Sequence, residues 1–353
     1  MTPMNSRERM LAAINRQPLD RFPTDIWCTP EVQAKLRAHF GNTNFRAALH
    51  LDGFMAFEPA YIGPPLPRLP EGETIDHWGI RSRTMDYGSG VYSETAEPVL
   101  AQARTLDDLQ RHPWPKAEWF DFSAMPAQLQ EARKTHLTQC GYMAPFYYHN
   151  LLRGLEQSLL DPLEDPDFAH ALIGFISDFF LAYHRAMFEA CDGLIDVTQV
   201  TDDLGSQTGP LISPALYREF YKPHHARMIN LAREFGIKVM HHDDGSCRVF
   251  LPELVAMGIN IINPVQWNCP GMDTIELKRE FGHRICFHGG IENQRILPFG
   301  TPDDVRAEVR HCIDTLGCDN TGYIVCSCHA IQPVTPIENI LALYEEANRY
   351  GQR

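Results

Sequence analysis

No run in the sequence approaches 18 consecutive apolar residues, so no segment has the length to cross a bilayer as a helix. An export signal is missing too: Met1 to Ala13 carries Arg7, Glu8 and Arg9 where such a signal needs an apolar stretch. Positive charge is scarce. Lys+Arg number 31 against 45 Asp+Glu, a formal net charge of −14, which excludes a generally basic nucleic-acid binder. The ten cysteines are scattered and form no CxxC pair, so reduced thiols are expected rather than a disulfide framework. Phosphate-loop patterns (GxGxxG, GKS/T) and the GxSxG elbow of serine hydrolases are absent. These absences lead to the expectation of a soluble, cytoplasmic protein with neither nucleic acid nor membrane as partner.

What the chain does have is ordinary globular composition and alternation. Of its 353 residues 44% are hydrophobic and 22% charged, enough to bury a large core. Apolar residues Met10, Leu11 and Ile14 mark an N-terminal helix between Asn5 and Gln17, ended by Pro18. Eight short apolar runs follow, at Phe22 to Trp27, Gly53 to Phe57, Gln139 to Phe146, Leu194 to Val200, Lys238 to His241, Ile259 to Val265, Ile285 to His288 and Gly322 to Cys326. Helical patterns separate the later runs: Pro214 to Phe235, Arg248 to Met257, Asp273 to Phe281, Pro302 to Leu316 and Pro336 to Tyr350. Pro opens three of these, and Gly follows each at Gly236, Gly258, Gly282, Gly317 and Gly351. Strands alternating with helices predict parallel pairing through right-handed crossovers, and eight of them predict a closed (β/α)8 TIM barrel. The whole chain, 1–353, is expected to form one such domain. The Pro- and Gly-rich stretch 61–134 reads as an irregular excursion after strand 2, with a small hairpin near Trp78 to Glu94.

In a barrel, function gathers at the C-terminal ends of the strands. Those ends carry Glu58, Tyr147 and Tyr148, Asp202 and Asp203, His241 to Asp244, Gln266, His288, and Cys328 with His329. Alternate residues of an extended chain share a face, so His242 and Asp244 can converge while His241 and Asp243 turn away. His329 would add a third ligand, and two imidazoles with one carboxylate leave positions open on a catalytic Zn²⁺ or Fe²⁺. A solvated polar loop is the plain alternative at 241–245, and a Cys-x-Cys-His cluster is a rival at 326–329. Cys326 and Cys328 are otherwise expected as small buried hydrophobes against the helices. Adjacent Asp202 and Asp203 repel in a confined site, which would raise one carboxyl and make it a general acid; capping of a loop or helix is the other use. Glu58 is a candidate acid, base or outer metal ligand. Tyr147, Tyr148, Asp202, Gln207, Gln266 and His288 are the candidate substrate contacts.

The segments Asp202-Asp203-Leu204-Gly205-Ser206-Gln207, Ile212-Ser213-Pro214, Asn263-Pro264-Val265-Gln266, Leu277-Lys278-Arg279-Glu280-Phe281-Gly282 and Phe287-His288-Gly289-Gly290-Ile291 give the chain a resemblance to the uroporphyrinogen decarboxylase superfamily. Thr335-Pro336 with Glu338-Asn339-Ile340 extends it, and it covers nearly the whole chain. That superfamily also contains corrinoid-linked methyltransferases, and the resemblance implies a (β/α)8 barrel. The decarboxylases are similar to one another in an Arg-Gln-Ala-Gly-Arg motif after the first strand, where arginines meet the porphyrinogen carboxylates. Here that region reads Trp27-Cys28-Thr29-Pro30-Glu31-Val32-Gln33, which argues on charge against a polyanionic tetrapyrrole. Glu58 falls where the decarboxylases carry a strand-end aspartate, and His329 where they carry a histidine. The methyltransferase branch has a His-x-Cys plus later Cys zinc site, matching His242, Asp244 and His329 here, so both thiolates are replaced by harder ligands.

The expected activity is therefore metal-dependent methyl transfer between a small substrate and a corrinoid (cobalamin) held by a separate corrinoid-binding protein. Zinc is the first choice of metal and Fe²⁺ the second. His242, Asp244 and His329 would be the ligands, with Glu58, Asp203 and His329 in catalytic roles. A homodimer is expected from the resemblance. Two alternatives stand: decarboxylation of uroporphyrinogen III or a smaller carboxylated substrate, and a non-catalytic corrinoid- or porphyrin-binding barrel.

Overall fold

The computed structural model describes residues 3–41, 44–88 and 90–352. Seven parallel strands form one sheet in chain order: β1 (Phe54–Phe57), β2 (Leu137–Met143), β3 (Val197–Val200), β4 (Lys238–His242), β5 (Ile261–Asn263), β6 (Cys286–Ile291) and β7 (Tyr323–Ser327). A sheet of neighbours in sequence order, all parallel, curls with its helices on one face. The later strands are buried along their whole length, β5, β6 and β7 without an exposed residue, as a sheet covered on both sides requires.

The eighth expected strand differs. Residues 22–28 form isolated bridges from Thr24 to Val325 and from Cys28 to Ile331, and the Thr24 carbonyl accepts from the Asp52 and Gly53 amides. The segment thus lies between the two edges of the sheet without forming a continuous ladder to either. Pro23 removes one donor, and the amide of Thr24 goes to the Asp52 carboxylate instead of a strand partner.

Helices pack outside the sheet. Asn5 caps the first, Ser6–Ile14, in a capping box with Glu8. Pro214–Leu216, a π-helical turn at Tyr217–Tyr221, and Lys222–Glu234 together occupy the single helix expected there. Thr274–Phe281, Pro302–Leu316 and Ile337–Tyr350 match their expected spans to within a residue. No helix among the described residues is long and apolar enough to cross a membrane. The excursion leaves after β1, and its base is clamped by antiparallel pairing of Ala60–Tyr61 with Phe120–Asp121. Its hairpin is three-stranded (Glu73–Ile75, Arg81–Asp86, Val91–Glu97), with Trp78 outside the strands and buried in the core.

Candidate functional site

The loops after β3 and β4 build the centre of the site. Both contain Asp-Asp followed by a glycine, at 202–205 and 243–245. A Cβ on Gly205 would overlap the Asp244 carbonyl, and one on Gly245, at φ +76°, would overlap the Ser206 carbonyl. Glycine at both positions lets the two backbones touch, and Ser246 donates its amide to the Ser206 carbonyl at 2.8 Å. Asp203 and Asp244 are thereby held side by side, with the Asp244 amide donating to Asp203 Oδ1 at 3.2 Å.

Strand alternation then sorts the neighbouring residues. His242 Nε2 lies 3.9 Å from Asp244 Oδ1 and 3.5 Å from Asp203 Oδ1. His329, on the loop after β7, puts its Nε2 3.6 Å from Asp244 Oδ2. His242, Asp244 and His329 offer ligand atoms that all lie within 4.8 Å of one another. Burial and Asp203 push the Asp244 carboxyl up, against the opposing pull of His242 and His329. His241 and Asp243 are fully buried and turned away: His241 Nδ1 donates to the Val200 carbonyl, and Asp243 accepts from the Leu204 and Gly205 amides.

Asp202 and His288, both read from the sequence as substrate contacts, do not face this cluster. Asp202 is buried and accepts from the Phe146 and Tyr147 amides at 3.0 and 2.9 Å, capping a helix (Pro145–Arg153) whose own N-cap, Ala144, has no side-chain acceptor. Its Oδ2 is 2.9 Å from His225 Nε2, and Tyr217, on the π-helical turn, reaches His225 Nδ1 at 3.1 Å. Burial pushes the Asp202 carboxyl up and the His225 imidazole down to about 4. His288 is buried beneath the site: its Nδ1 accepts from Asn263 Nδ2 at 2.6 Å and its Nε2 faces Asp25 Oδ2 at 3.1 Å. Asn263 Oδ1 in turn is 2.6 Å from His242 Nδ1. Cys326 lies with Asp25 and His288, not against the helices as expected, because it is two residues along β7 from Ile324, the register partner of His288, and so shares that face. Cys328 is buried against the Val265 carbonyl.

Two cavities flank the cluster. Asp244, His329, Gln207 and Gln266 line one of about 520 Å³, where Gln266 bonds Gln207 at 3.1 Å and the Gly245 amide at 2.9 Å. Glu58 and Tyr148 line another of about 340 Å³, with Phe57, Trp78, Phe179 and Tyr183. Glu58 is therefore on a different cavity from His329. Burial pushes the Tyr148 and Tyr183 hydroxyls up, with Glu58 adding to it. Tyr147 is partly exposed, and Asp203 contributes to raising its hydroxyl. Sequence reasoning missed Asp25 and Asn263. The available signal was a polar residue inside each of two apolar runs, shared with Thr24 in the first and Asn260 in the second.

The sequence profile described as uroporphyrinogen decarboxylase (URO-D) matches residues 5–350. Among curated proteins, the methylated-thiol–coenzyme M methyltransferase of Methanosarcina mazei is 29% identical over 202 residues, 56% of this chain and 49% of that protein. The uroporphyrinogen decarboxylase of Syntrophotalea carbinolica is 27% identical over 187 residues, 53% of this chain and 50% of that one. The match thus spans about half the length of these two relatives. The methylcobamide:CoM methyltransferase of Methanosarcina mazei is 25% identical across 99% of both chains. A solved methyltransferase structure from Methanosarcina mazei superposes with a TM-score of 0.66 over 98% of this chain and 99% of that one, at 20% identity.

Proposed function

The chain belongs to the uroporphyrinogen decarboxylase family, and we propose that within it the protein is a metal-dependent methyltransferase, exchanging a methyl group between a small substrate and a corrinoid carried by a separate protein. Full-length similarity to a methylcobamide:CoM methyltransferase supports this, and the convergence of His242, Asp244 and His329 carries it. In this reading residues 22–28 complete a (β/α)8 barrel by bridging both sheet edges, and the free cysteines suit the reducing cytoplasm.

The residues fit a divalent ion. Donors on a tetrahedral zinc at ~2.1 Å stand roughly 3.4 Å apart, and the His329–Asp244 and His242–Asp244 pairs already stand at 3.6 and 3.9 Å. His242 and His329 would supply nitrogens and Asp244 an oxygen, a harder set that suits zinc or Fe²⁺. A bound ion supplies Lewis acidity toward a heteroatom of the substrate. The protein's own groups handle the proton and the shape. When a heteroatom gains a methyl group it must lose its proton, and Asp203, 41% exposed and 3.5 Å from His242, is placed to take it. Gln207 and Gln266 offer amide groups to the same cavity. The aromatic cavity holds Glu58 but no Lys or Arg in its lining, so a polycarboxylate has no counter-charge there.

One observation favours a second reading, decarboxylation of a carboxylated substrate. Arg37 and Arg46 line a separate pocket of about 370 Å³ with Trp27 and Gln33. Asp25, 3.7 Å from Arg46, already answers one of these charges. Incubation with cob(I)alamin and methyl donors, or methylcob(III)alamin and acceptors, followed by the corrinoid spectrum, separates the two. Methyl exchange abolished by His329→Ala supports the first reading. Unchanged corrinoid with every partner tried, together with CO₂ release from uroporphyrinogen III, establishes the second.

A further inference from the structure

We propose that Asp25, His288 and Asn263 form a directional hydrogen-bond relay that fixes His242 in its Nδ1–H tautomer, leaving Nε2 bare toward Asp244 and His329. The inference rests on the metal-site reading above only for its purpose; the tautomer itself is a property of the metal-free protein.

The direction follows from the far end. Asp25 is 2% exposed and its carboxylate is surrounded by donors: His288 Nε2 at 3.1 Å, the Trp27 indole N–H at 3.2 Å and the Arg46 guanidinium at 3.7 Å. Burial would raise this carboxyl, but the hydrogen bond from His288 and the charge of Arg46 outweigh it and hold it below the usual carboxylate range. Asn263 Nδ2 donates to His288 Nδ1, so that nitrogen is an acceptor and the ring proton of His288 lies on Nε2, opposite the Asp25 anion. The Asn263 bond is 2.6 Å long and turns the Asn263 carbonyl oxygen toward His242. That oxygen, 2.6 Å from His242 Nδ1, demands a proton there. With the Asn263 amide oriented this way, reversing any single link puts lone pair against lone pair or donor against donor. His288 and Asn263 are fully buried, so no solvent can relieve a reversed link. The Trp27 ring covers both imidazoles, 5.6 Å from His242 and 5.7 Å from His288.

Asn263 is thus a positioning residue that bonds the ring nitrogen of His242 facing away from Asp244, and Asp25 and His288 act on the ligand set through it. A second-shell partner that fixes a metal-bound histidine is commonly worth 10- to 100-fold in metal affinity. Here the partner is a carboxylate two side chains removed. Asp25, His288 and the adjacent Cys326 also offer ligand atoms within 4.8 Å of one another, so the test separates an ion held there from one at His242, Asp244 and His329.

The test is the long-range ¹H–¹⁵N spectrum of metal-free protein labelled at histidine, with His242 assigned by the signal lost in His242→Asn. The wild type is expected to show the His242 proton on Nδ1. Asp25→Asn removes the charge that sets the polarity, so an Nε2–H population appears, and zinc affinity, read by competition with a chromophoric chelator, falls about tenfold or more. His288→Phe keeps a ring of similar size but cuts Asn263 off from Asp25 and is expected to show the same Nε2–H population and loss of zinc affinity as Asp25→Asn, as is Asn263→Leu, which removes the acceptor itself. This pair keeps the test decisive if Asp25→Asn does not fold. A wild-type proton on Nε2, an Asp25→Asn spectrum identical to wild type, or a zinc ion that survives His329→Ala and depends on Cys326 would each overturn the relay. Absence of zinc binding in wild type with the tautomer as expected would refute the metal reading and leave the relay standing.

Discussion

Replacing either of two adjacent aspartates by alanine should have opposite consequences. Asp202→Ala removes three hydrogen bonds in a fully buried place, from the Phe146 and Tyr147 amides and with His225. The two amides belong to the first turn of a helix with no cap of its own. Leaving buried donors unmet costs about 1–3 kcal/mol each, and partial relaxation brings the expected total to roughly 3–5 kcal/mol. With about 2 cal/mol/K of unfolding entropy per residue over 353 residues, that is a fall of about 4–7 °C in melting temperature. Asp203→Ala loses one partly exposed bond, to the Asp244 amide, and should cost under about 1 kcal/mol. Its effect belongs to the site: any proton-dependent methyl exchange slows while the melt stays close to wild type. Calorimetry and guanidinium unfolding of both variants at neutral pH decide this. An Asp202→Ala melt within a degree of wild type, or a larger loss in Asp203→Ala, would refute the assignment of Asp202 to the scaffold and Asp203 to chemistry.

Acid should weaken the fold through His184. It is fully buried, with Nδ1 bonded to the Phe180 carbonyl, and burial depresses its imidazole to about 4. The unfolded chain takes up this proton below about pH 6.5 and the native state does not until about 4, so the contribution is complete above 6.5 and lost as pH falls, about 2 kcal/mol by pH 5. Unfolding free energies of wild type and His184→Gln should converge by that amount between pH 7.5 and 5; parallel pH profiles would contradict it. His225 and His241 give no such clean signal, because the neighbouring Asp202 and Asp243 carboxyls are raised and oppose them. Gly205→Ala should force the β3 and β4 loops apart, since its Cβ meets the Asp244 carbonyl and the Ser246 amide. Zinc affinity should fall at least tenfold while the Asp202 cap is kept; unchanged affinity would show that loop contact does not position Asp244.

Seven strands were legible as short apolar runs, most plainly β5, β6 and β7, which are buried along their whole length and need little else. The eighth run, at Phe22, was equally apolar, yet Pro23 and the Asp52 carboxylate divert its backbone donors. The long helix Pro166–Ala190 is not among the helical spans named above, although Leu172, Ile173, Ile176, Phe179 and Phe180 recur at helical spacing along one face. Within the site, strand alternation was enough to pair His242 with Asp244. It did not apply to His329, which lies beyond the end of β7, nor could it tell Asp202 from Asp203 where β3 breaks into a loop. Asp25 and Asn263 come together only through contacts made from β5 and β6 to the first segment, and Trp78 reaches the aromatic cavity from the excursion. Such contacts depend on register and loop path, which no local pattern encodes.

The central claim is that His242, Asp244 and His329 form a metal site, and metal content of untagged protein by elemental mass spectrometry tests it most directly. Near-stoichiometric zinc or iron in the wild type, lost in both Asp244→Ala and His329→Ala at unchanged fold, is the expected result. A wild type that takes up neither zinc nor iron on incubation, or variants that retain the metal, would contradict the account and make the cluster proton-transfer machinery.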